Sequence, residues 1–480
     1  MNINKKNIFL ICQSPYWQHI ITAQRLARGK CYLVGGTVRD LMLGRPITDI
    51  DLVVFGCAIE LASLFAKKTG GGFVPLDPKR DIARVVLKDA VFDFAKAKGE
   101  TIEQDLLLRD FTINAVSVLI ENENSFGLQI VDPLGGIAHL QAKQLIPCSE
   151  TIFSDDPLRI LRAYRLSITF GLKMSDSLLR LIHRDIKMIA KPSPERIRDE
   201  LFMIFRSTES AEIIIEMDKA GVLSTLFPEI SDMRKTVQGK WHDLDVWNHS
   251  LRAFERLEHI LNNLNDYFGV YASDMEQFLK TELVSHRPIN SLIKLGTLFH
   301  DVGKPERFQK DNQGEIHFYG HAKLGGLKIR SIASRLALSC RETSLLARLT
   351  SNHMKTSQLF AAKPPTIKTI SRFFLKHNDI WRALFCLYYS DMLSKKATNT
   401  IDDLLAKTKD RMISILAYYN DLIKPKMTSP PLLTGHDLIN VFGLKPGSHF
   451  RVILDKVTQA FIEGIIHNKN EAIDFVKRLF

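Results

Sequence analysis

Gly35-Gly36-Thr37-Val38-Arg39-Asp40-Leu41-Met42-Leu43-Gly44-Arg45-Pro46-Ile47-Thr48-Asp49-Ile50-Asp51-Leu52-Val53-Val54-Phe55-Gly56 opens on two glycines and closes on an acidic strand. The apolar run before it, Cys31 to Val34, reads as a strand that turns through Gly35 and Gly36 into a helix. Glycine lets the backbone approach a ligand, and a helix N-terminus offers free N–H groups to phosphate. Arg39, one turn into that helix, can add a charge-assisted contact. Asp49 and Asp51 are two apart on a strand, so both carboxylates project from the same face. Two such carboxylates repel unless a cation sits between them, and Mg²⁺ with triphosphate oxygens suits the pair. A solvated strand end and a neutral glycine turn are the ordinary readings of each piece alone. Their order along the chain favours a nucleotide site. Asp93, in Val91-Phe92-Asp93-Phe94, is a candidate third carboxylate on a neighbouring strand.

Around this stretch, from Cys31 to about Leu145, short apolar runs alternate with glycine turns and are separated by helical stretches such as Ile59 to Lys68, which together predict a small mixed sheet with helices. From Asp156 onward the period becomes helical. Pro192 and Pro194 separate two helices, a loop near Met233 to Asp245 opens a further helical region, and Lys424-Pro425 with Pro430-Pro431 is expected to break the helix before the tail. The fold class expected is α+β: a mixed-sheet head followed by an all-helical body.

At 480 residues the chain exceeds a single core, and 45% hydrophobic with 25% charged residues is ordinary for a globular protein. The 65 Lys and Arg against 53 Asp and Glu leave a charge of +12, which favours a polyanionic partner. Cys12, Cys31, Cys57, Cys148, Cys340 and Cys386 contain no C-x-x-C pair, arguing against a zinc ribbon or a disulfide framework. The apolar run Ile8 to Cys12 is too short for a signal core or a membrane span, so a soluble, cytoplasmic protein is expected, with no membrane and no obligate protein partner.

Five blocks in order carry a resemblance. Gly35 to Gly56 resembles the signature of bacterial-type tRNA nucleotidyltransferases and related poly(A) polymerases, in the DNA polymerase beta superfamily. Arg109-Asp110-Phe111-Thr112-Ile113-Asn114-Ala115 resembles that family's triphosphate- and sugar-contacting block, and Asp132-Pro133-Leu134-Gly135-Gly136 its hinge. Asp155-Asp156-Pro157-Leu158-Arg159-Ile160-Leu161-Arg162 resembles the segment that reads the incoming base, and Ser193 to Leu201 the helix that braces it. Placed on one helix, Asp156 and Arg159 would share a face, as would Arg162 and Arg165. A carboxylate beside a guanidinium can match the Watson–Crick edge of cytosine or adenine; an i,i+3 ion pair on a solvated helix is the plainer reading. Asp155 stands where the family often has Glu, Leu108 where an Arg is usual, and His139 where an acidic residue is common. The stretch between Asp51 and Arg109 is short, which resembles members adding only CC.

Farther along, His249, His300-Asp301 (followed by Val302-Gly303-Lys304-Pro305), His321, His353 and Asp391 lie in helical sequence. Imidazole and carboxylate suit Mn, Fe, Ni or Zn, whose bound water can hydrolyse phosphoesters. The run is similar to the HD phosphohydrolase domain of some tRNA nucleotidyltransferases, whose substrates include 2′,3′-cyclic phosphates and 2′-phosphates. The resemblance implies a head at 1–145, a base-selecting, RNA-binding neck at 146–235, an HD domain at 236–405 and a helical tail at 406–480. It implies addition of CCA to tRNA from CTP and ATP, with Mg²⁺ in the head and a transition metal in the HD domain. CC-only or A-only addition, poly(A) synthesis, and a chiefly hydrolytic protein with an inactive head are the alternatives.

Overall fold

The computed structural model describes residues 15–120, 129–239, 243–361, 363–395 and 401–479. The run Ile8 to Cys12 and part of the loop expected at Met233 to Asp245 lie outside the described residues. The chain divides into two compact units, residues 1–200 and 201–480.

The first unit begins with α1 (Pro15–Leu26), β1 (Lys30–Val34), α2 (Gly35–Met42), β2 (Asp49–Phe55) and α3 (Ala58–Thr69). It continues with β3 (Gly72–Asp77), β4 (Ile82–Val86), β5 (Val91–Lys96), α4 (Ile102–Leu107), β6 (Ser117–Leu119) and β7 (Ile130–Val131). These strands form one sheet in the order β3-β4-β5-β2-β1-β6-β7. β2 and β5 run parallel while the other neighbours are antiparallel, so the expected mixed sheet is present.

Period-two alternation decides what each face carries. Ile50, Leu52 and Val54 of β2 and Phe92 and Phe94 of β5 are buried. Phe65 of α3 lies 4.8 and 5.5 Å from the rings of Phe92 and Phe94, so α3 covers this side. The alternate positions put Asp49, Asp51 and Asp93 on the other side. There Val34, Val53, Ile102, Leu106 and Ala115 make a second apolar cluster. Burying each of its larger side chains contributes about 1.5–3 kcal/mol, which anchors β2 just below its acidic end.

After the sheet come α5 (Gly136–Gln141), α6 (Ile152–Asp155), α7 (Arg159–Phe170), α8 (Asp176–Asp185) and α9 (Pro194–Phe205). Pro194 opens α9, the position where a missing N–H costs least. One expectation fails here: Asp156 is not on a helix with Arg159. Its backbone is extended (φ −152°, ψ 101°), and α7 starts only at Arg159. Asp156 precedes Pro157, whose ring disfavours the helical region for the residue before it.

The second unit is helical. The helices that matter below are α10 (Ser210–Lys219), α11 (Val246–Asn262), α12 (Ile289–Leu298), α13 (His321–Arg335), α14 (Cys340–Thr356) and α15 (Trp381–Leu393). Two short ribbons interrupt it, Glu282–Val284 with Arg287–Pro288 and Gln309–Lys310 with Ile316–His317. The break expected at Lys424-Pro425 is absent: helix Ile401–Tyr418 passes through a π turn, Tyr419–Ile423, into helix Lys424–Thr428. A wider turn relieves the clash between the proline ring and the preceding turn, so the helix persists. It ends before Pro430. The chain then closes on a small cluster that includes Leu433, Leu438, Ile453, Val457 and Val476.

Candidate active sites

The first site is built where β1, α2 and β2 meet. Thr37, 1% exposed, accepts the Asp51 N–H at Oγ1 (2.7 Å) and donates to the Asp49 carbonyl (3.3 Å). The helix after the glycine turn thus holds the backbone of both acidic residues, a role the sequence reading did not give Thr37. Gly35 has φ +67°, and a Cβ there would stand 3.1 Å from Arg109 Nη1 and 3.2 Å from Asp51 Oδ2. Glycine therefore lets the guanidinium and the carboxylate approach the turn together.

Register sets Asp51 opposite Asp93 across the parallel pair. Arg84, opposite Asp93 on β4, donates to both its carboxylate oxygens (2.7 and 2.8 Å). Burial pushes the Asp51 carboxyl up to about 6; Arg109 opposes this, and Asp93 and Asp49 reinforce it. A carboxyl raised from 3.8 to about 6 contributes stability that is full below pH 3.8 and lost as pH rises through 6. Without divalent metal, Asp51→Asn is therefore expected to stabilise the first unit at pH 7.5 by about 1–3 kcal/mol after screening. The gain should vanish near pH 4. Thermal melts in chelator check this, and an equal gain at both pH values would contradict it.

Behind the turn runs a relay of ion pairs. Arg39 donates from Nε and Nη2 to Asp40 (3.0 and 2.9 Å) and from Nη1 to Asn114 Oδ1 (2.7 Å), while its guanidinium stacks 4.1 Å over the Phe170 ring. Asn114 donates to Asp110 (3.0 Å), and Arg162 donates to the same carboxylate (3.2 Å). Burial would raise the Asp110 carboxyl, yet Arg162, Asn114 and the Phe111 N–H hold it below its usual value. Glu200 on α9 takes Arg162 (3.3 Å) and Arg165 (2.6 Å) together. Arg109 is held by Asp105 at 3.0 and 3.1 Å.

A cavity of about 1110 Å³ in the first unit has walls that include Arg80, Lys98, Leu108, Asp156, Arg159 and Arg196. Asp156 pairs not with Arg159 but with Arg196 (2.7 Å), and Arg159 donates to the carbonyls of Ile152 and Leu108 (3.3 and 3.2 Å). Asp155 ends α6 and accepts from Thr151 (3.2 Å). His139 meets Thr112 at 3.0 Å, so this departure from the family pattern serves packing of the hinge block. Arg84, Arg196 and Glu200 escaped the sequence reading as site residues. The last two stand in the quoted Ser193 to Leu201 block, whereas Arg84 shows itself only through strand register.

The second site lies wholly in the second unit. Asp245 caps α11 by accepting the Asn248 N–H (2.8 Å), which sets His249 in its first turn. A capping box, Ser339 with Glu342, starts α14, the helix that carries His353. Gly303 admits the start of α13: a Cβ there would fall 2.2 Å from the His321 carbonyl oxygen. All six expected residues converge. Asp391 Oδ1 is 3.1 Å from His249 Nε2, and Asp301 approaches His300 (3.2 Å), His321 (3.4 Å) and His353 (3.5 Å).

Burial would lower the His300 imidazole, yet Asp301 and Asp391 beside it hold it above its usual range while no ion is bound. His300, His321 and His353 each donate Nδ1–H to a backbone carbonyl three residues earlier (2.8, 2.8 and 2.7 Å), which turns the Nε2 lone pair inward. His300 Nε2 is fully buried with no hydrogen-bond partner. Burial holds His249 and His353 below the usual imidazole range, so they are neutral donors at physiological pH. Burial alone would raise Asp301 and Asp391, but His300 and Lys304 hold the first, and Lys395 and His249 the second, well below the carboxylate range. Lys304 sits 2.6 Å from Asp301 and Lys395 3.3 Å from Asp391. The donor set therefore fits a transition metal.

The sequence profile of the poly A polymerase head domain matches residues 31–146, and that of the probable RNA and SrmB-binding site of polymerase A matches 171–233. Over 444 residues the chain is 31% identical to the CC-adding tRNA nucleotidyltransferase of Geobacter sulfurreducens, covering 92% of this chain and 90% of that one. It is 29% identical to the A-adding tRNA nucleotidyltransferase of Deinococcus radiodurans, covering 93% and 94%. The fold matches the Thermotoga maritima CCA-adding enzyme complexed with tRNA, at a TM-score of 0.64 and 21% identity, over 100% and 98% of the two chains. A mixed-sheet head with paired carboxylates and a helical continuation defines a nucleotidyltransferase architecture. The chain belongs to the tRNA nucleotidyltransferase family and is an enzyme of that kind. Among the described residues, no helix is long and apolar enough to cross a membrane.

Proposed function

We propose that this chain extends the 3′ end of tRNA with cytidines from CTP, and that its second unit carries a metal-dependent phosphohydrolase. Asp49 and Asp51 would hold Mg²⁺, with Asp93 joining them once Arg84 yields. The ion would supply Lewis acidity at the attacking 3′-hydroxyl and the α-phosphate. Residues 1–145 serve as the transferase head, 146–235 as the base-selecting neck, 236–405 as the HD domain and 406–480 as the tail. The α2 N-terminus, with Gly35 and Gly36, and Arg109 grip the triphosphate, while Arg39 acts through Asn114 and Asp110 to fix that grip. Asp156 and Arg159 face the base from the cavity wall, and Arg162 and Arg165 are held ready behind them by Glu200.

One observation favours CC over full CCA addition. No connection between elements from Asp51 to Arg109 exceeds five residues, the longest being residues 97–101 between β5 and α4. That segment is also tied down, with the Lys98 N–H on Asp105 (2.9 Å) and the Glu100 N–H on Gln104 (2.8 Å). It leaves no span for the flexible loop that A addition is associated with in this family. Transcripts ending before CCA, after C and after CC, offered labelled CTP and ATP, test it. A stop after CC is expected. Completion to CCA would restore the wider reading, long A tails would indicate a poly(A) polymerase, and no extension would point to an inactive head.

Arg196 supports base selection through Asp156. Arg196→Ala is expected to leave the melting temperature within 1–2 °C and to lower the preference for CTP over UTP about tenfold, the value of one charge-assisted hydrogen bond of roughly 1.5 kcal/mol. Competition assays with mixed nucleotides read this ratio directly.

A further inference from the structure

On the transferase reading proposed above, we infer that Arg84 binds the last phosphodiester of the tRNA, the one between its two terminal nucleotides. That contact is also what frees Asp93.

Sheet order gives the paired carboxylates two flanks. On one side of β2 lies β1, which turns through Gly35 beside Arg109, the groups assigned to the triphosphate. On the other side lie β5, β4 and β3. Register carries a row of side chains across them: Asp51 opposite Asp93, Asp93 opposite Arg84, and Arg84 opposite Val74. Partners in register share a face, so all four project from the side of the sheet that holds the carboxylates. Arg84 stands two strand spacings from Asp51, about 9–10 Å, a span on the scale of one nucleotide. An RNA whose 3′-hydroxyl reaches the carboxylates, with the triphosphate on the β1 side, therefore lays its last phosphate near Arg84.

The surroundings suit that ligand. Among the described residues, Arg84 is the only cation that the alternation of β2, β3, β4 and β5 puts on this face. Val86, two residues on, and Val74 are 43% and 44% exposed, an open apolar shelf for the sugar and base beyond the phosphate. Asp93 holds the guanidinium through both carboxylate oxygens, and a phosphate offers the same two-oxygen geometry. The Arg84 side chain is 43% exposed and that of Asp93 29%, so one anion can replace the other without unpacking the sheet. Asp93 first, then Asp49 and Asp51, raise the guanidinium above its usual value, which sets Arg84 in the field of all three carboxylates. Once phosphate takes Arg84, the charge of Asp93 returns to Asp49 and Asp51, and the trio calls for a cation. Arrival of the RNA and completion of the Mg²⁺ ligand set are then one event.

The test uses the full chain with CTP and two tRNAs ending before CCA, one natural and one with a neutral methylphosphonate at its last linkage. With the unmodified chain, the neutral linkage is expected to raise KM for tRNA about tenfold, the worth of one charge-assisted hydrogen bond, and to leave KM for CTP unchanged. Arg84→Gln should raise KM for the natural tRNA by the same factor and show no further loss with the neutral linkage, while Arg84→Lys keeps most of the affinity. The slope of log K against log salt should fall by about 0.7 in Arg84→Gln, as expected when one phosphate contact is lost, whereas a residue that only braces the sheet would leave the slope alone. Equal KM for the two tRNAs with the unmodified chain would overturn the inference, even were Arg84→Gln to fail to fold. So would a methylphosphonate loss that persists undiminished in Arg84→Gln. No extension of the natural tRNA by the unmodified chain would instead remove the proposed CTP addition, and the inference with it.

Discussion

Asp51→Asn is expected to lower CTP incorporation at least a thousandfold, because a catalytic metal contributes several kcal/mol to the transition state and each 1.36 kcal/mol is about tenfold. The substitution keeps the side-chain volume and the Thr37 hydroxyl on the residue 51 N–H, so the loss would come from charge rather than shape. Asp49→Asn should behave alike. Hydrolysis by the second unit should continue at the unmodified rate. Primer extension and hydrolysis of a 2′,3′-cyclic nucleotide, run on the same sample, separate the two activities. Loss of both would mean that the sites do not work independently.

Asp301→Asn gives the converse. Among the described residues, Asp301 alone is within reach of all four imidazoles, so its loss should bring 2′,3′-cyclic nucleotide hydrolysis below about a thousandth of normal. Nucleotide addition should be untouched. Neutralising the buried carboxylate also leaves Lys304 without its counter-charge, though Gln238 Oε1 still accepts from it (2.7 Å), and breaking a buried ion pair costs about 3–5 kcal/mol. His300→Gln, which keeps Asp301 and Lys304 together, is the companion variant. Unchanged hydrolysis in both would withdraw the HD assignment.

Much of this architecture is legible in the chain. Asp49 and Asp51 could be placed on one face because a strand alternates with period two, and the pleat of β2 does so. His300-Asp301 and its Gly303 form a local motif whose reason, the close passage of α13, is now visible. What escaped is of two kinds. The i,i+3 spacing of Asp156 and Arg159 suggests a shared helix, but Pro157 keeps Asp156 extended, and Pro425 suggests a break that a π turn repairs. The other omissions are partnerships across distant sequence. Arg84 meets Asp93 through register, and Glu200 gathers Arg162 and Arg165 through helix packing. Spacing along one element constrains neighbours on that element; it says nothing of which elements will meet.

The hold of Glu200 on two arginines has a consequence for how the enzyme can change its alphabet. Under the proposed function, both guanidiniums are positioned before any nucleotide arrives, so recognition would lose little conformational freedom on binding. The same arrangement resists drift. A substitution at either arginine leaves half of a buried carboxylate unanswered, and a substitution at Glu200 removes the carboxylate that holds Arg165 and leaves Arg162 to Asp110 alone. A lineage moving toward a different nucleotide would have to rebuild the latch together with the letters it holds.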